Sequence, residues 1–383
     1  MNPVDLLDYS TLRLIWWVLM GILLIGFALT DGFDLGSLIL MPIIGRSDVE
    51  RRVIINAIGP VWEGNQVWLI LGAGAIFAAW PMVYATAFSG LYPAMILILA
   101  GLVLRPVSII YRSKLQDSFW RACWDRVMQL ASLLPPLLFG VALGNVLQGL
   151  PFSYDFTMRM IYTGHFIDLL NPFALLTGCV ALAMTIMHGG AWLAVKCEET
   201  IAFRARIASF ACALLLIALF AGAGVWTALA IKGFAIIGDV AHDAASNPMT
   251  KSVSRSIGGW LANYGAHSWL MAAPLLGIFG AAAAAYLLTR GDDRAALSAS
   301  GLSVFGVVAT VGVGMFPFIL PSSLDPRSSL TVWDASSSKS TLFTMLAATC
   351  LILPVILAYT AFIYRVLRGR VSKEDVEADH GSY

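Results

Sequence analysis

The chain has 383 residues, of which 59% are hydrophobic and only 12% are charged, against about 25% charged residues in an ordinary soluble domain. A mean hydropathy of +0.80 and a net charge of +1 exclude a soluble globule and a strongly basic nucleic-acid-binding protein. The five cysteines are scattered and form no CxxC pair, which argues against a disulfide framework and a thiolate metal site.

Nine apolar stretches are long enough to cross a bilayer, whose core of about 30 Å requires about 20 mostly apolar helical residues. They lie at 12–36, 57–80, 82–104, 127–148, 166–194, 207–231, 262–289, 301–320 and 342–366. Polar or turn-rich breaks separate them. We therefore predict an all-α integral membrane protein with about nine transmembrane helices. Residues 1–366 form a single polytopic membrane domain, and residues 367–383 form a short cytoplasmic tail.

The distribution of Lys and Arg predicts the orientation of these helices. Most of the 24 Lys and Arg residues lie in the breaks after spans 1, 3, 5 and 7 and in the tail. Cytoplasmic loops of membrane proteins carry an excess of these two residues. We expect a periplasmic N-terminus and a cytoplasmic C-terminus.

The first ionisable residues inside an apolar stretch are two carboxylates near the end of span 1. Asp31 and Asp34 lie three residues apart in GFALTDGFDLG, so on a helix they share one face. A charge at the bilayer centre costs about 2.5–3.5 kcal/mol on insertion scales, which makes intramembrane acids functional candidates. Two close carboxylates suit a proton-carrying or cation-binding site. The alternative is that both acids lie at the cytoplasmic interface and face water.

Span 2 begins with a dense polar and aromatic motif, WEGNQVW. It contains Trp62, Glu63, Asn65, Gln66 and Trp68. These side chains require partners inside the helix bundle, and a buried Glu63 suits a proton relay. The alternative is an amide cluster that packs helices together, with Glu63 as a structural carboxylic acid.

Span 3 ends with a single arginine, and the histidines are sparse. Arg105, in LVLRPV, pairs with a carboxylate, pairs with a cofactor propionate, or anchors the helix by snorkelling. The five histidines lie on separate elements, and only His188 falls inside a span. A multi-haem protein requires several axial ligands at comparable depth. The sequence therefore predicts no metal site and no haem ligand in this chain.

Several long segments together resemble one family. They are GILLIGFALTDGFDLG, ERRVIINAIGPVWEGNQVWLI, AIFAAWPMVYATAFSGLYPAMILILAGLVLRPV, GNVLQGLPF, LLNPFALLTG, MFPFILPSS, LTVWDASSS and VSKEDVE. These segments run from the first span to the tail. In them the chain is similar to subunit II of cytochrome bd quinol oxidase.

The resemblance implies a subunit of a bacterial terminal oxidase that oxidises quinol, reduces dioxygen to water and takes its protons from the cytoplasm. It places haem b and haem d in the partner, subunit I, and implies ubiquinone or another quinone as a further cofactor. It also implies two four-helix bundles with one peripheral helix, a location in the bacterial cytoplasmic (inner) membrane, and a small single-helix third subunit as a further candidate partner.

The resemblance also assigns roles to residues. Glu63 matches the acidic position of the family's W-[D/E]-G-N motif, which implies a proton relay, although many relatives carry Asp there. Asp31 and Asp34 match the DGFD motif, which implies proton entry or quinone contact. Four other residues match positions near the subunit interface, toward the partner haems or an oxygen route: Trp62, Asn65, Trp68 and Arg105. Ile110 stands where some relatives place a carboxylate, so a proton path through that carboxylate is absent here.

Two other functions remain compatible with intramembrane acids. One is a proton- or cation-coupled secondary transporter that binds its cation at Asp31, Asp34 and Glu63. The later spans contain few polar residues that could line a substrate path, which argues against it. The other is a purely structural partner of subunit I. Co-purification with a haem-bearing protein of similar size separates the oxidase from the transporter.

Overall fold

The computed structural model describes residues 6–367 and 369–378; residues 1–5, residue 368 and residues 379–383 of the predicted tail lie outside the described residues. Thirteen α-helices make up most of the described chain. The N-terminal half contains α1 Tyr9–Ile44, α2 Asp48–Ile58, α3 Trp62–Ala79, α4 Pro81–Gly90, α5 Tyr92–Arg112 and α6 Ser118–Gln148. The C-terminal half contains α7 Pro172–Lys196, α8 Glu199–Leu229, α9 Ala262–Ala266, α10 Ala272–Arg290, α11 Asp293–Met315, α12 Lys339–Val366 and α13 Lys373–Ala378.

Polar caps mark the start of several of these helices. The side chains of Asp8, Asn171 and Ser338 each accept a hydrogen bond from the backbone N–H three residues on, at the starts of α1, α7 and α12. Each cap satisfies a backbone donor that has no partner within the helix. The apolar residues that follow extend each helix across the thickness of a bilayer.

The prediction of an all-α membrane fold with about nine spans is confirmed. In the described chain, eight helices are long and apolar enough to cross a membrane, and a ninth results if the bent pair α3 and α4 is one span. That pair is bent by 118°. The predicted break between the spans 57–80 and 82–104 is observed at Trp80, but two details differ: helix α3 begins only at Trp62, and the second stretch breaks again at Leu91. The unpredicted break lies at Leu91 because Pro93, which lacks a backbone N–H, occupies the first turn of α5.

Other spans lie where we predicted them, but their ends differ. The predicted span 262–289 consists of α9, a 3₁₀ turn at Ser268–Met271, and α10. The predicted span 301–320 ends as a helix at Met315. Asn263 explains part of this difference, because its Nδ2 donates to the carbonyl oxygens of Val313 and Phe316 at 2.9 and 2.7 Å. These tertiary hydrogen bonds hold the interrupted segment against the end of α11.

The helices pack as two groups of four with one helix outside. The first group is α1, α3, α5 and α6, and the second is α7, α8, α10 and α11. Helix α12 contacts α1 and α3, and only 6% of its most apolar stretch is buried. Helices α1 and α7 join the groups, and their backbones are so close that a Cβ atom on Gly36 would lie 2.1 Å from the carbonyl oxygen of Thr185.

Three antiparallel hairpins follow α6, α8 and α11, at what we call the loop end of the bundle; the opposite end, which carries α2, is the α2 end. The strands are β1 Phe152–Tyr154, β2 Met160–Tyr162, β3 Lys232–Ile237, β4 Ser252–Ile257, β5 Phe318–Leu320 and β6 Leu330–Thr331, paired in sequence order. They add short strands to the predicted helical fold without entering its helix groups.

Two buried cations fasten the loop end. Arg13, on α1, donates to the Ser336 hydroxyl at 2.7 Å, to the carbonyl oxygen of Ala244 at 3.0 Å and to that of His242. Lys251 lies with its Nζ 2.7 Å from the carboxylate of Asp334. Both cations therefore connect segments that are distant in the sequence.

Part of the tail forms a strap, residues 369–376, across the α2 end. The Nζ of Lys196 donates to the carbonyl oxygens of Leu367 and Gly369. The backbone N–H of Val371 donates to the carbonyl oxygen of Lys196 at 2.8 Å. Val376 is buried in an apolar cluster that includes α2. These contacts hold the C-terminal end of α12 against α7.

Candidate functional site

An ion pair lies inside the first helix group. The Nη1 of Arg105, on α5, is 2.7 Å from Oδ1 of Asp31, on α1, and both side chains are fully buried. Of the roles that the sequence left open for Arg105, pairing with a carboxylate is the one observed. Snorkelling is excluded because the guanidinium is not exposed.

A hydrogen-bonded chain begins one helical turn further along α1. The Nδ2 of Asn65 donates to Oδ2 of Asp34 at 2.8 Å. The hydroxyl of Tyr364 donates to Oδ1 of Asn65 at 2.7 Å. Asp34 and Asn65 are buried, and Tyr364 is half-buried. We call the five residues on α1, α3, α5 and α12 the acid cluster: Asp31, Asp34, Asn65, Arg105 and Tyr364.

The acids of this cluster do not face water. Asp31 and Asp34 are both 0% exposed, so the alternative in which they lie in a solvated interface is wrong. Apart from the ion contact itself, both oxygens of Asp31, Oδ1 of Asp34 and the guanidinium nitrogens of Arg105 have no hydrogen-bond partner. A buried polar atom left without a partner costs about 1–3 kcal/mol. The cluster thus retains unused hydrogen-bonding capacity for water or for a proton.

An aromatic wall closes one side of the cluster. The rings of Phe33 and Trp192 are stacked with centroids 4.0 Å apart. The ring of Tyr364 meets both edge-on, at 6.4 Å from Phe33 and 6.0 Å from Trp192. Offset and edge-on pairs of this kind are favourable arrangements of aromatic rings. The wall packs the cluster against α7 with apolar surface, and Tyr364 contributes both a ring to it and a hydroxyl to the chain.

Glu63 lies apart from these residues. It is in the first turn of α3, and its side chain is exposed on the surface of the described chain. The prediction that Glu63 has partners inside its own bundle is wrong. The physical reason is helical geometry: Asn65, two residues on, points toward α1, and residues two apart do not share a face.

The two tryptophans of the same motif are buried. Trp62 is 5% and Trp68 8% exposed. Trp68 packs on α1 so closely that a Cβ atom on Gly26 would lie 2.6 Å from its ring. Together with Asn65 and Arg105, they are enclosed by helices of this chain. Contact with a partner's haem or with an oxygen route stays a prediction for all four.

His188 has both ring nitrogens occupied. Its Nε2 lies 3.0 Å from the carbonyl oxygen of Leu29, and its Nδ1 lies 2.8 Å from the hydroxyl of Ser300. Because a carbonyl oxygen only accepts, Nε2 carries a proton and cannot bind iron. This residue therefore does not fit a haem. In the part of the chain that the structure describes, no three His, Cys, Asp or Glu side chains form a group that could hold a metal ion.

An apolar cleft of about 360 Å³ lies between the two helix groups. Its lining includes Gly32 and Leu35, which are neighbours of the two acids on α1, with Phe139, Met184 and Trp260. The indole N–H of Trp260 is already used, since it donates to the carbonyl oxygen of Leu147 at 2.8 Å. The cleft therefore suits the hydrocarbon part of a lipid-like molecule.

Reasoning from the sequence missed Tyr364. It is separated from Asn65 by 299 residues. It lies near the end of the last span in a run of apolar residues, where an interfacial tyrosine is common. Only the packing of α12 on α1 and α3 brings its hydroxyl to the cluster, so no local signal in the sequence identifies it.

Comparisons with known proteins agree with this arrangement. The family described as cytochrome bd terminal oxidase subunit II matches residues 12–367. The chain is 47% identical to cytochrome bd-I ubiquinol oxidase subunit 2 of Escherichia coli strain K12, over 99% of this chain and 100% of the relative. It is 30% identical to cytochrome bd ubiquinol oxidase subunit 2 of Bacillus subtilis strain 168, over 96% of this chain and 98% of the relative.

A solved structure has the same fold. A chain in the structure of bd oxidase from Geobacillus thermodenitrificans superposes with a TM-score of 0.63, at 14% identity, over 93% of this chain and 98% of that chain. At such low identity the likeness concerns the fold alone. The family match over nearly the whole length and the identity to the Escherichia coli relative are decisive: this chain belongs to the cytochrome bd terminal oxidase subunit II family.

Proposed function

We propose that this subunit conducts protons from the cytoplasm toward its haem-bearing partner while the complex oxidises quinol and reduces dioxygen to water. As a member of its family, the chain is a subunit of a bd-type oxidase, an oxidoreductase complex that contains haem and a subunit I. We assign haem b and haem d to subunit I. On this proposal the present chain contributes a proton path and a scaffold, and no complete active site.

The acid cluster carries this proposal. An ionisable residue inside a membrane bundle is costly and marks an ion or proton pathway by default. Here two acids share the interior with one cation, at Asp31, Asp34 and Arg105. If both acids are ionised the group has a net charge of −1, and one added proton neutralises it. We infer that Asp34, which is not the direct ion partner of Arg105, takes and releases that proton.

Glu63 is the second proton-carrying residue in the proposal. It lies on a stripe of α3 that is exposed in the isolated chain, with Val67, Ile70 and Phe77 at helical spacing along the same face. We propose that subunit I covers this stripe, so that Glu63 relays protons across the interface. A small single-helix third subunit is a further proposed partner.

We propose the following placement in the bacterial cytoplasmic (inner) membrane. The α2 end, which carries most of the Lys and Arg, faces the cytoplasm, and the loop end faces the periplasm. The N-terminus is then periplasmic, residues 1–366 form one membrane domain, and residues 367–383 are a cytoplasmic tail. Protons from the cytoplasm would therefore enter at the end where Tyr364 and Asp34 lie.

The apolar cleft is the proposed site of a bound quinone, ubiquinone or a related one. Its lining fits the hydrocarbon tail, and its position beside Gly32 and Leu35 brings it next to the acid-bearing turns of α1. A quinone supplies redox chemistry when bound. The residues of this chain would hold and orient it and keep water away from its tail.

The oxidase assignment is tested by co-purification. The tagged chain is isolated from mild detergent, and the absorption spectrum of the product is recorded. We expect a haem-bearing partner of similar size and quinol-dependent oxygen consumption. A transporter is not favoured by the family match, and isolation as a stable, haem-free single chain with ion-coupled uptake would overturn the oxidase assignment.

The proton path is tested with Asp34→Asn and Glu63→Gln in the whole complex. Each change removes a titrating carboxyl but keeps its size. We expect the turnover with quinol to fall by at least about tenfold, within the usual range for a positioned acid or base. Quinone content is measured as well for Asp34→Asn. Normal turnover, haem spectra and quinone content in both variants would leave this subunit with a structural role alone.

A further inference from the structure

We propose that Tyr364 is a positioning residue for proton transfer: its hydroxyl pairs with the Asn65 amide and keeps that amide hydrogen-bonded to the carboxyl of Asp34, whether the carboxyl is ionised or protonated. The inference rests on the proposed function, because that function assigns proton transfer to Asp34. Tyr364 lies on α12, the helix that belongs to neither group of four, so it brings an element from outside the bundle into contact with the acid cluster.

The direction of the two hydrogen bonds determines the orientation of the Asn65 side-chain amide. A side-chain amide has a donor end and an acceptor end, and its orientation follows from its partners. The Tyr364 hydroxyl donates to Oδ1 of Asn65, which leaves Nδ2 to donate to Asp34. In this orientation Oδ2 of Asp34 accepts a hydrogen bond from the amide, and its Oδ1 is left without a hydrogen-bond partner.

The same three residues also fit the protonated acid. A carboxyl that carries a proton becomes a donor, and the amide can then turn over so that Oδ1 accepts from Asp34 and Nδ2 faces Tyr364. A phenol hydroxyl both donates and accepts, so Tyr364 pairs with either end of the amide. The proton on Asp34 comes from the proton path and leaves along it, while Tyr364 keeps its own proton throughout.

The strap determines where Tyr364 lies. Within this chain helix α12 has little buried surface, so few contacts of its own packing define its position. Lys196 binds the carbonyl oxygens of Leu367 and Gly369, three and five residues beyond Tyr364. Lys373 adds a backbone N–H that donates to the Glu198 carboxylate at 2.9 Å. These contacts fix the last turn of α12, and with it the distance from Tyr364 to Asn65.

Tyr364→Phe in the intact complex tests the inference, because it removes the hydroxyl and keeps the ring of the aromatic wall. We expect kcat for oxygen consumption to fall about threefold to tenfold, the factor that corresponds to one hydrogen bond. The KM for quinol and the haem content should not change. The solvent deuterium isotope effect on kcat should rise, because proton transfer then limits turnover. Tyr359→Phe, at a 65% exposed position on the same helix, is the matched control and should match the wild type.

A double mutant separates positioning from packing. If Tyr364 acts through Asn65, Tyr364→Phe has no further effect on kcat in an Asn65→Ala background. An undiminished further loss in that background would overturn the inference. The inference is also overturned if Tyr364→Phe has the wild-type kcat and isotope effect while Asp34→Asn loses turnover. In that case the proposed function stands. Normal turnover in both variants would overturn the two together.

Discussion

At the scale of single residues, the acid cluster holds one more acid than base: Asp31 and Asp34 against Arg105. The ion pair between Asp31 and Arg105 is fully buried, and its remaining polar atoms have no partner. Removing water from two charges is costly, and their mutual attraction repays this only when other hydrogen bonds satisfy them. A gain in stability therefore does not explain the ion pair. We attribute it instead to the positive charge that Arg105 supplies inside the acid cluster, close to Asp34.

Arg105→Met tests the dependence of the cluster on its single cation. The variant leaves Asp31 buried without a counter-charge, which typically destabilises a protein by about 3–5 kcal/mol. We expect a clear fall in the melting temperature of the purified complex. The double variant Asp31→Asn with Arg105→Met removes both charges and should regain part of that loss. If the double variant is less stable than Arg105→Met alone, the two residues are not coupled as an ion pair.

The sequence predicts some of these residues but not their arrangement. The three-residue spacing of Asp31 and Asp34 correctly places them on one helix, and their apolar neighbours indicate that the site lies within the membrane. No local feature of the sequence shows which face of α3 packs against the other helices. The sequence therefore predicts that Glu63 and Asn65 both lie inside the bundle, although their side chains point to different sides of α3. Tyr364 is found only when α12 is placed, because its partner is 299 residues away.

At the scale of elements, the short helix α2 joins several segments at the α2 end. Its buried Glu50 accepts from Arg204, on α8, at 2.9 Å and from the backbone N–H of Arg46 at 2.8 Å. Lys373 of the strap lies 3.6 Å from the same carboxylate. The hydrogen bond from Arg204, assisted by these neighbours, lowers the pKa of Glu50 from 4.5 to about 2.

This shift makes the attachment of α2 sensitive to acid. Because the pKa of Glu50 is lower in the folded chain, the unfolded chain binds the proton more readily. The contribution of Glu50 to the free energy of unfolding is therefore complete above about pH 4.5 and is lost as the pH falls toward 2. We expect Glu50→Gln to lower the melting temperature at pH 7 and to differ progressively less from the wild type below pH 4.5. The exposed Glu374→Gln is the control. A difference that does not depend on pH would contradict this account.

Element boundaries were predicted less well than element number. Apolar length alone locates the spans, since a bilayer requires about 20 such residues. It does not locate the break at Leu91, before Pro93, because proline also occurs inside α1, α5, α6 and α12 without ending them. Which proline interrupts a helix depends on the neighbours that satisfy the freed backbone groups.

At the scale of the whole molecule, the loop end is an ordered layer that fastens the two groups of helices. Lys251 is central to it: besides its contact with Asp334, its Nζ donates to the carbonyl oxygens of Pro248 at 2.9 Å and Ser329 at 2.5 Å. Burial lowers the pKa of this lysine, and the carboxylate of Asp334 opposes that effect. One side chain thus connects the segment before β4 with the segments on either side of β6.

Lys251→Met should release that layer. The change leaves Asp334 buried without its cation, and we expect a loss of about 3–5 kcal/mol in the stability of the loop end. Limited proteolysis of the purified complex should cut residues 321–338 at least about tenfold faster than in the wild type, since cleavage follows the population of the opened state. The exposed Lys232→Met is the control. Equal cleavage rates in both variants would show that other contacts hold the loops.

The buried position of Arg13 also sets the order in which the molecule can be completed. Its partners lie 229 to 323 residues further along the chain, in the segment before β4 and the segment before α12. At a synthesis rate of about 5–20 residues per second, the first helix waits on the order of 10 to 60 s for them. Throughout that interval a guanidinium at the start of α1 has to be hydrated or bound by lipid phosphate. The start of α1 therefore gains its buried contacts only after most of the chain has been synthesised.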